Sequence, residues 1–190
     1  WHEALLADID AAQPDVVVNL IESVDGDSRL EIAACWMLEL ARVPYTGAPP
    51  RALALALAQP VTKAVLQSRG VPVARGVVLE SGDEPLPPLR WPLIVKPVRE
   101  DGSNGITQES VVGDEKALRE RARWVHRTFG QAALAEEYVD GREINVAILG
   151  DCTLEVLPLA EIDFTGFPEG SRRIVTYDAK WNEGSAECLG

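Results

Sequence analysis

Three lysines, a glycine-rich loop and an acidic junction carry most of the chemistry this sequence offers. Lys63 lies at the start of a helical stretch, Lys96 ends an apolar run, and Lys180 lies in "YDAKW" (177–181). The chain has 18 basic against 30 acidic residues, so a lysine at the mouth of a strand stands out as a partner for a ligand phosphate. The other reading is a stem laid along the strand with its ammonium in water. Spacing does not separate the two at Lys96 and favours the second at Lys63. After Lys96 comes "PVREDGSNGI" (97–106). Gly102 and Gly105 permit positive φ and close backbone approach, so the amides around Ser103 and Asn104 could face an anion, with the Ser103 hydroxyl as a further donor. Taken alone, the same residues suit a polar turn better. The third piece is "AEEYVDGRE" (135–143). Its backbone could hold a nucleotide base and its carboxylates ribose hydroxyls, or it could be a solvated acidic turn.

The elements that must position these residues are partly legible. "PDVVVNLIES" (14–23) reads as a buried strand, from its β-branched run between Pro and acidic residues. "SRLEIAACWMLELARV" (28–43) reads as a helix with Leu30, Ala33, Ala34, Met37, Leu38 and Ala41 on one stripe. Residues 44–50 break the chain with Pro and Gly. Pro60 interrupts the helical stretch 51–70, which predicts two helices meeting near Gln59. Strands are expected over 71–80 and 92–97, separated by a proline-rich connection. Residues 110–130 read as a short strand and then a helix, with Asp114 as N-cap and Gly130 as stop. Residues 131–150 read as a strand, a D-G turn and a second strand, and 152–162 as one more strand. The tail from Asp163 shows no clear period.

Composition bounds the function. The 190 residues are 25% charged and 46% hydrophobic, with net charge −12, as in a globular chain large enough for one domain or two small ones. That sign excludes a broad basic face for nucleic acid, and an anionic ligand needs a local cationic pocket. No apolar run is long enough to span a membrane, and no signal peptide is visible. Cys35, Cys152 and Cys188 form no metal or disulfide spacing, which fits a reducing cytoplasm. His2 and His126 stand alone, as solvated or satisfied histidines do. The chain opens at Trp1 rather than Met, which suggests a fragment.

The order of these pieces is more telling than any one of them. A lysine opening a helix, "GVPVA" (70–74), a strand ending "VKP" before a Gly/Ser loop, "EEYVDGRE" and "YDAKW" together resemble the ATP-grasp superfamily. Within it, "VPYTG" (43–47), "KPVREDGSNGI" (96–106) and "EEYVDGREINVAILG" (136–150) resemble the D-alanine–D-alanine ligase group. The likeness runs from about Val16 to Trp181. It implies an α/β chain of α+β subdomains, an ATP-grasp fold with a partial N-terminal open-sheet domain. The divisions it suggests are a substrate-side part (1–59), a lid subdomain (60–135) and the start of a second ATP-grasp subdomain (136–190).

The activity implied is ATP-dependent joining of a carboxylate to an amine through an acylphosphate. The substrates are small amino acids or other carboxylates, in the cytoplasm, and the resemblance allows a homodimer. By the same resemblance, Lys63 and Lys96 hold phosphate oxygens, and Ser103, Asn104 and Gly105 lie over the β- and γ-phosphates in a lid formed by loop 99–105. Glu136 meets the adenine amino group, Glu137, Tyr138 and Val139 line the base, and Glu143 binds ribose. Lys180 reaches the phosphates and, with Ser103, carries the catalytic part. Mg²⁺ is expected with ATP, its ligands lying beyond Gly190. Several positions depart from the group. Its His-Gly and Gly-Glu-Asp-Gly signatures are replaced by "NLIESVDGDSRLEIAA" (19–34), a lid serine by Gly102, and the tyrosine after the last lysine by Trp181. The nucleotide half of the pattern is therefore better kept than the D-alanine half. A relative joining other amino acids or small acids, and an ATP-binding module without ligase activity, stay as alternatives.

Overall fold

The computed structural model describes residues 2–188, which fall into two compact units: residues up to 73 together with 98–102, and 74–97 together with the chain from 103 onward.

The first unit is helical. Helix α1 (His2–Ala12) packs on α2 (Glu31–Ala41), which packs on α3 (Pro50–Leu57), and α4 (Gln59–Ser68) follows. Asp27 begins the turn into α2 by accepting from the Arg29 amide at 3.0 Å. Arg42 ends α2 in the left-handed conformation. The buried side of α2 is Glu31, Ala34, Cys35 and Leu38. Leu30 and Ala33, expected on that stripe, are exposed, because the helix is rotated to put Cys35 inward. The break near Gln59 is borne out: Ala58 leaves helical geometry and Pro60 lies in the first turn of α4. Residue Glu100 of the 98–102 segment accepts from Gln59 Nε2 on its carbonyl (3.0 Å) and from the Ser28 hydroxyl on its carboxylate (3.4 Å).

The strand expected over 14–23 does not form. Its ladder is one parallel bridge, Val17 to Tyr45, and Val16, Val18 and Leu20 are exposed. A β-branched run becomes a strand only when neighbours pair along it, and among the described residues this one has a single point of pairing.

The second unit is built on a four-stranded antiparallel sheet. Strands β1 (Gly76–Leu79), β2 (Leu93–Pro97), β3 (Val111–Val112) and β4 (Ala133–Glu137) lie in the order β1-β4-β2-β3. Helix α5 (Glu115–Phe129) covers one face. Asp114 caps it by accepting from the Ala117 amide at 2.8 Å, and Gly130 stops it at φ 63°, as expected. Alternation does the rest. Leu93 and Val95 of β2, Leu79, Ala133 and Ala135 turn toward Leu118, Ala122 and Val125 of α5 and form the core. Ile94 and Lys96 point to the opposite face.

Beyond the sheet the strands are short. The second strand expected within 131–150, beginning at Glu143, and its successor over 152–162 are each divided. β5 (Ile144–Asn145) pairs with β8 (Ala160–Glu161), and β6 (Ile148–Leu149) with β7 (Glu155–Val156). The tail, which showed no period, contains α6 (Tyr177–Trp181), capped by Thr176 accepting from the Ala179 amide at 3.1 Å.

Candidate functional site

The face of the four-stranded sheet opposite α5 carries a cation and a carboxylate in contact. Lys96 stands opposite Leu134, and Glu136 opposite Ile94, so the two side chains are diagonal neighbours on one face. The Lys96 ammonium meets the Glu136 carboxylate at 2.6 Å. Glu136 is only 6% exposed, and Lys96 keeps about a quarter of its side chain open. A carboxylate so buried needs a charge or strong donors beside it. The sequence named both residues but could not show the pairing, because it arises from strand register. Next to Glu136, Gly76 lets β1 and β4 approach closely: a Cβ there would stand 2.6 Å from the Ala135 carbonyl oxygen, too near to fit.

The neighbouring residues of the junction point elsewhere. Glu137 turns to the opposite side of β4, accepting from the Arg90 amide at 2.9 Å with the Arg75 and Arg90 guanidinium groups close by. Its own amide donates to the Arg75 carbonyl, and the Tyr138 amide to that of Pro92. The Tyr138 hydroxyl donates to the Arg173 carbonyl at 3.3 Å, and burial, with Asp140 nearby, pushes its pKa up. Val139 is exposed. Glu143 follows at the start of the short strands. Partial desolvation raises its carboxyl pKa while the Lys180 charge acts the other way, so those two residues feel each other.

The loop after β2 has a defined conformation. Gly102 (φ 54°), Ser103 (φ 66°) and Gly105 (φ 73°) are all left-handed. Gly105 has a second reason to be glycine, since a Cβ would lie 2.7 Å from Pro97 Cγ and 3.0 Å from Phe129 Cε2. The Ser103 hydroxyl donates to the Val175 carbonyl at 2.8 Å, so in this structure its proton serves the tail rather than an open donor site. The Tyr177 amide donates to the Ile106 carbonyl at 2.9 Å, and the Arg172 amide to Gln108 Oε1 at 2.8 Å. Residues 103–108 are thus joined at three points to 172–177, which leads directly to the exposed Lys180.

Arg121 of α5, which the sequence reading passed over, lies under this loop. Its Nη2 donates to the Gly105 carbonyl at 3.0 Å and to the fully buried Ser110 hydroxyl at 2.9 Å. The guanidinium stacks 3.8 Å from the centre of the Trp124 ring. One signal was available: an arginine three residues after Leu118 and four before Val125, on the apolar stripe of its helix.

Lys63 belongs to the first unit, in the first turns of α4, where burial lowers its pKa. His126 is satisfied by the Leu79 carbonyl at 2.8 Å, and the three cysteines are free. Among the described residues, no group of three or more His, Cys, Asp or Glu could hold a metal ion, and no helix is long and apolar enough to cross a membrane.

Known proteins resemble both the sequence and the fold. A D-alanine–D-alanine ligase of Gluconobacter oxydans is 32% identical over 184 residues, 95% of this chain and 55% of the relative. An uncharacterized protein of Sinorhizobium fredii, y4sG, is 36% identical over 166 residues, 87% of this chain and 47% of the relative. The chain spans about half the length of the curated relatives it matches. Among solved structures, the D-alanine–D-alanine ligase from Coxiella burnetii superposes with a TM-score of 0.62 at 24% identity, covering 78% of this chain and 44% of that one. An L-amino acid ligase from Bacillus licheniformis gives 0.64 at 21% identity, covering 90% and 38%. These likenesses show the ATP-grasp fold. The family model described as the D-ala D-ala ligase C-terminus matches residues 65–189, more than half of the sequence, and the chain belongs to the D-alanine–D-alanine ligase family.

Proposed function

We propose that this chain is the nucleotide-holding part of an ATP-dependent carboxylate–amine ligase of the D-alanine–D-alanine ligase type, acting in the cytoplasm in peptidoglycan synthesis. The observation that carries the proposal is the Lys96–Glu136 pair on the face of the sheet opposite α5, in a chain of this family. The pair holds a cation for phosphate oxygens beside an acceptor for an adenine amino group. The left-handed backbone at Gly102, Ser103 and Gly105 suits a loop that turns its amides toward a phosphate chain.

In this reading ATP supplies the phosphoryl group that turns a carboxylate, a poor electrophile, into an acylphosphate that an amine can attack. The chain's own residues bind and orient. Lys63 and Lys96 hold phosphate oxygens; Ser103, Asn104 and Gly105 close over them; Glu136 and the 137–139 backbone take the base; Glu143 takes ribose. Lys180 offsets charge on the moving phosphoryl group, and the Ser103 hydroxyl adds a hydrogen bond to it. The described residues do not by themselves supply a cage for Mg²⁺. The division into 1–59, 60–135 and 136–190, and a homodimeric assembly, are part of the same proposal.

The substrate side has a second reading, joining of other amino acids or small acids. Gly102 and Trp181 favour it, because neither can replace the hydroxyl that the resemblance expects there. ADP release by the full-length protein against a panel of D- and L-amino acids separates the two. Turnover with D-alanine alone supports the first, turnover only with other acceptors supports the second, and nucleotide binding without turnover points to a binding module. Lys96→Ala is expected to abolish nucleotide binding. A Lys96→Met, Glu136→Leu double variant is expected to fold and still not bind, since an apolar pair replaces the ion pair without its phosphate contact. Wild-type affinity in either variant overturns the site.

A further inference from the structure

We propose that Arg121 is a positioning residue: it holds the 103–108 loop and, through the loop, the 172–177 segment that carries Lys180. The nucleotide part of this inference rests on the proposed function. The mechanical part does not.

Ser103 is a non-glycine residue held in the left-handed region, so something must fix the loop around it. Arg121 does so from below. One nitrogen, Nη2, reaches both the Gly105 carbonyl and the Ser110 hydroxyl. Ser110 in turn accepts from the Thr107 amide at 3.0 Å, so one guanidinium ties the loop at both of its ends. The buried Nε of Arg121 has no hydrogen-bond partner. The group is therefore aimed to serve the loop rather than to satisfy itself, with the Trp124 face holding its plane. An arginine placed only for helix packing would turn its head to water.

The loop passes the order on. Ser103 donates to Val175, Ile106 accepts from Tyr177, and Gln108 accepts from Arg172. Three residues after Tyr177 comes Lys180. One anchor in α5 thus sets the loop amides and the last lysine together, although they lie some 75 residues apart in sequence.

The test uses the full-length protein with Arg121→Met, Arg121→Lys and Ser110→Ala, read by site-resolved amide exchange without nucleotide and by ATP affinity. In Arg121→Met, exchange is expected to rise about tenfold in both 103–110 and 172–181, while α5 and β4 keep their protection. ATP affinity is expected to fall about tenfold, with Arg121→Lys and Ser110→Ala between it and wild type. Faster exchange in 103–110 without any change in 172–181 overturns the coupling. Uniform loss across α5, or unchanged exchange in the loop, overturns the positioning role. If Arg121→Met does not fold, the two milder variants decide by the same pattern. Wild-type protein that fails to bind ATP would sink the proposed function and leave the exchange result to judge Arg121.

Discussion

Glu136 shows what a single residue asks of its surroundings. At 6% exposure its charge is sustained by Lys96 at 2.6 Å, so the residue proposed to read a base is also part of what holds two strands in register. Gly105 is a similar case on the backbone. Its φ of 73° and the 2.7 Å approach of Pro97 to an imagined Cβ leave no room for a side chain. Gly105→Ala is expected to lower stability by about 2 to 3 kcal/mol, from left-handed strain and overpacking together. Urea denaturation with an unchanged slope would show it, and a loss below about 0.5 kcal/mol would mean the loop relaxes freely.

At the scale of elements, the turn after β1 is fastened to α5 and should respond to acid. Arg119 of α5 donates to the Gly82 carbonyl at 2.8 Å, and Arg123 pairs with Asp83 at 2.8 Å. Within the turn, desolvation pushes the Glu84 pKa up. The Ser81 amide (2.6 Å), the Gly82 amide (2.9 Å) and the Ser81 hydroxyl outweigh it and bring the value down to about 2. A carboxyl depressed in the folded state stabilises fully above its ordinary value of 4.5 and loses that contribution as pH falls toward 2. Glu84→Gln is therefore expected to be less stable than wild type at pH 7, with the gap in urea midpoint closing between about pH 4.5 and 2. A gap that persists at pH 2 would remove the charge from the explanation.

The elements also show what a sequence can and cannot disclose. Asp114, Gly130 and the Pro60 break were legible because caps and prolines act within a few residues. Lys96 and Glu136 were legible as types, and their pairing was not, because register depends on residues some 40 positions away. Arg121 offered a local signal, an arginine on the apolar stripe of α5, but its partners Gly105 and Ser110 are set by how the helix packs under the loop. The strand expected over 14–23 failed in the opposite direction, since local β-branching promised a pairing that this structure provides only at Val17.

At the scale of the whole molecule, a net charge of −12 is combined with a patch of quite different character. Val146, Ile148, Leu149, Leu154, Val156 and Leu159 are each more than half exposed, on ribbons of two short strands. Apolar side chains beside open strand edges are templates for contact with another chain. The 190-residue chain handled by itself is expected to self-associate with rising concentration. Light scattering should show this, more strongly as salt screens the acidic surface. A monomer at all concentrations in high salt would refute it. The same ribbons then govern how the protein can be studied: the longest-lived enemy of a binding titration here is colloidal, and low ionic strength, where like charges keep copies apart, is the condition in which affinity becomes measurable.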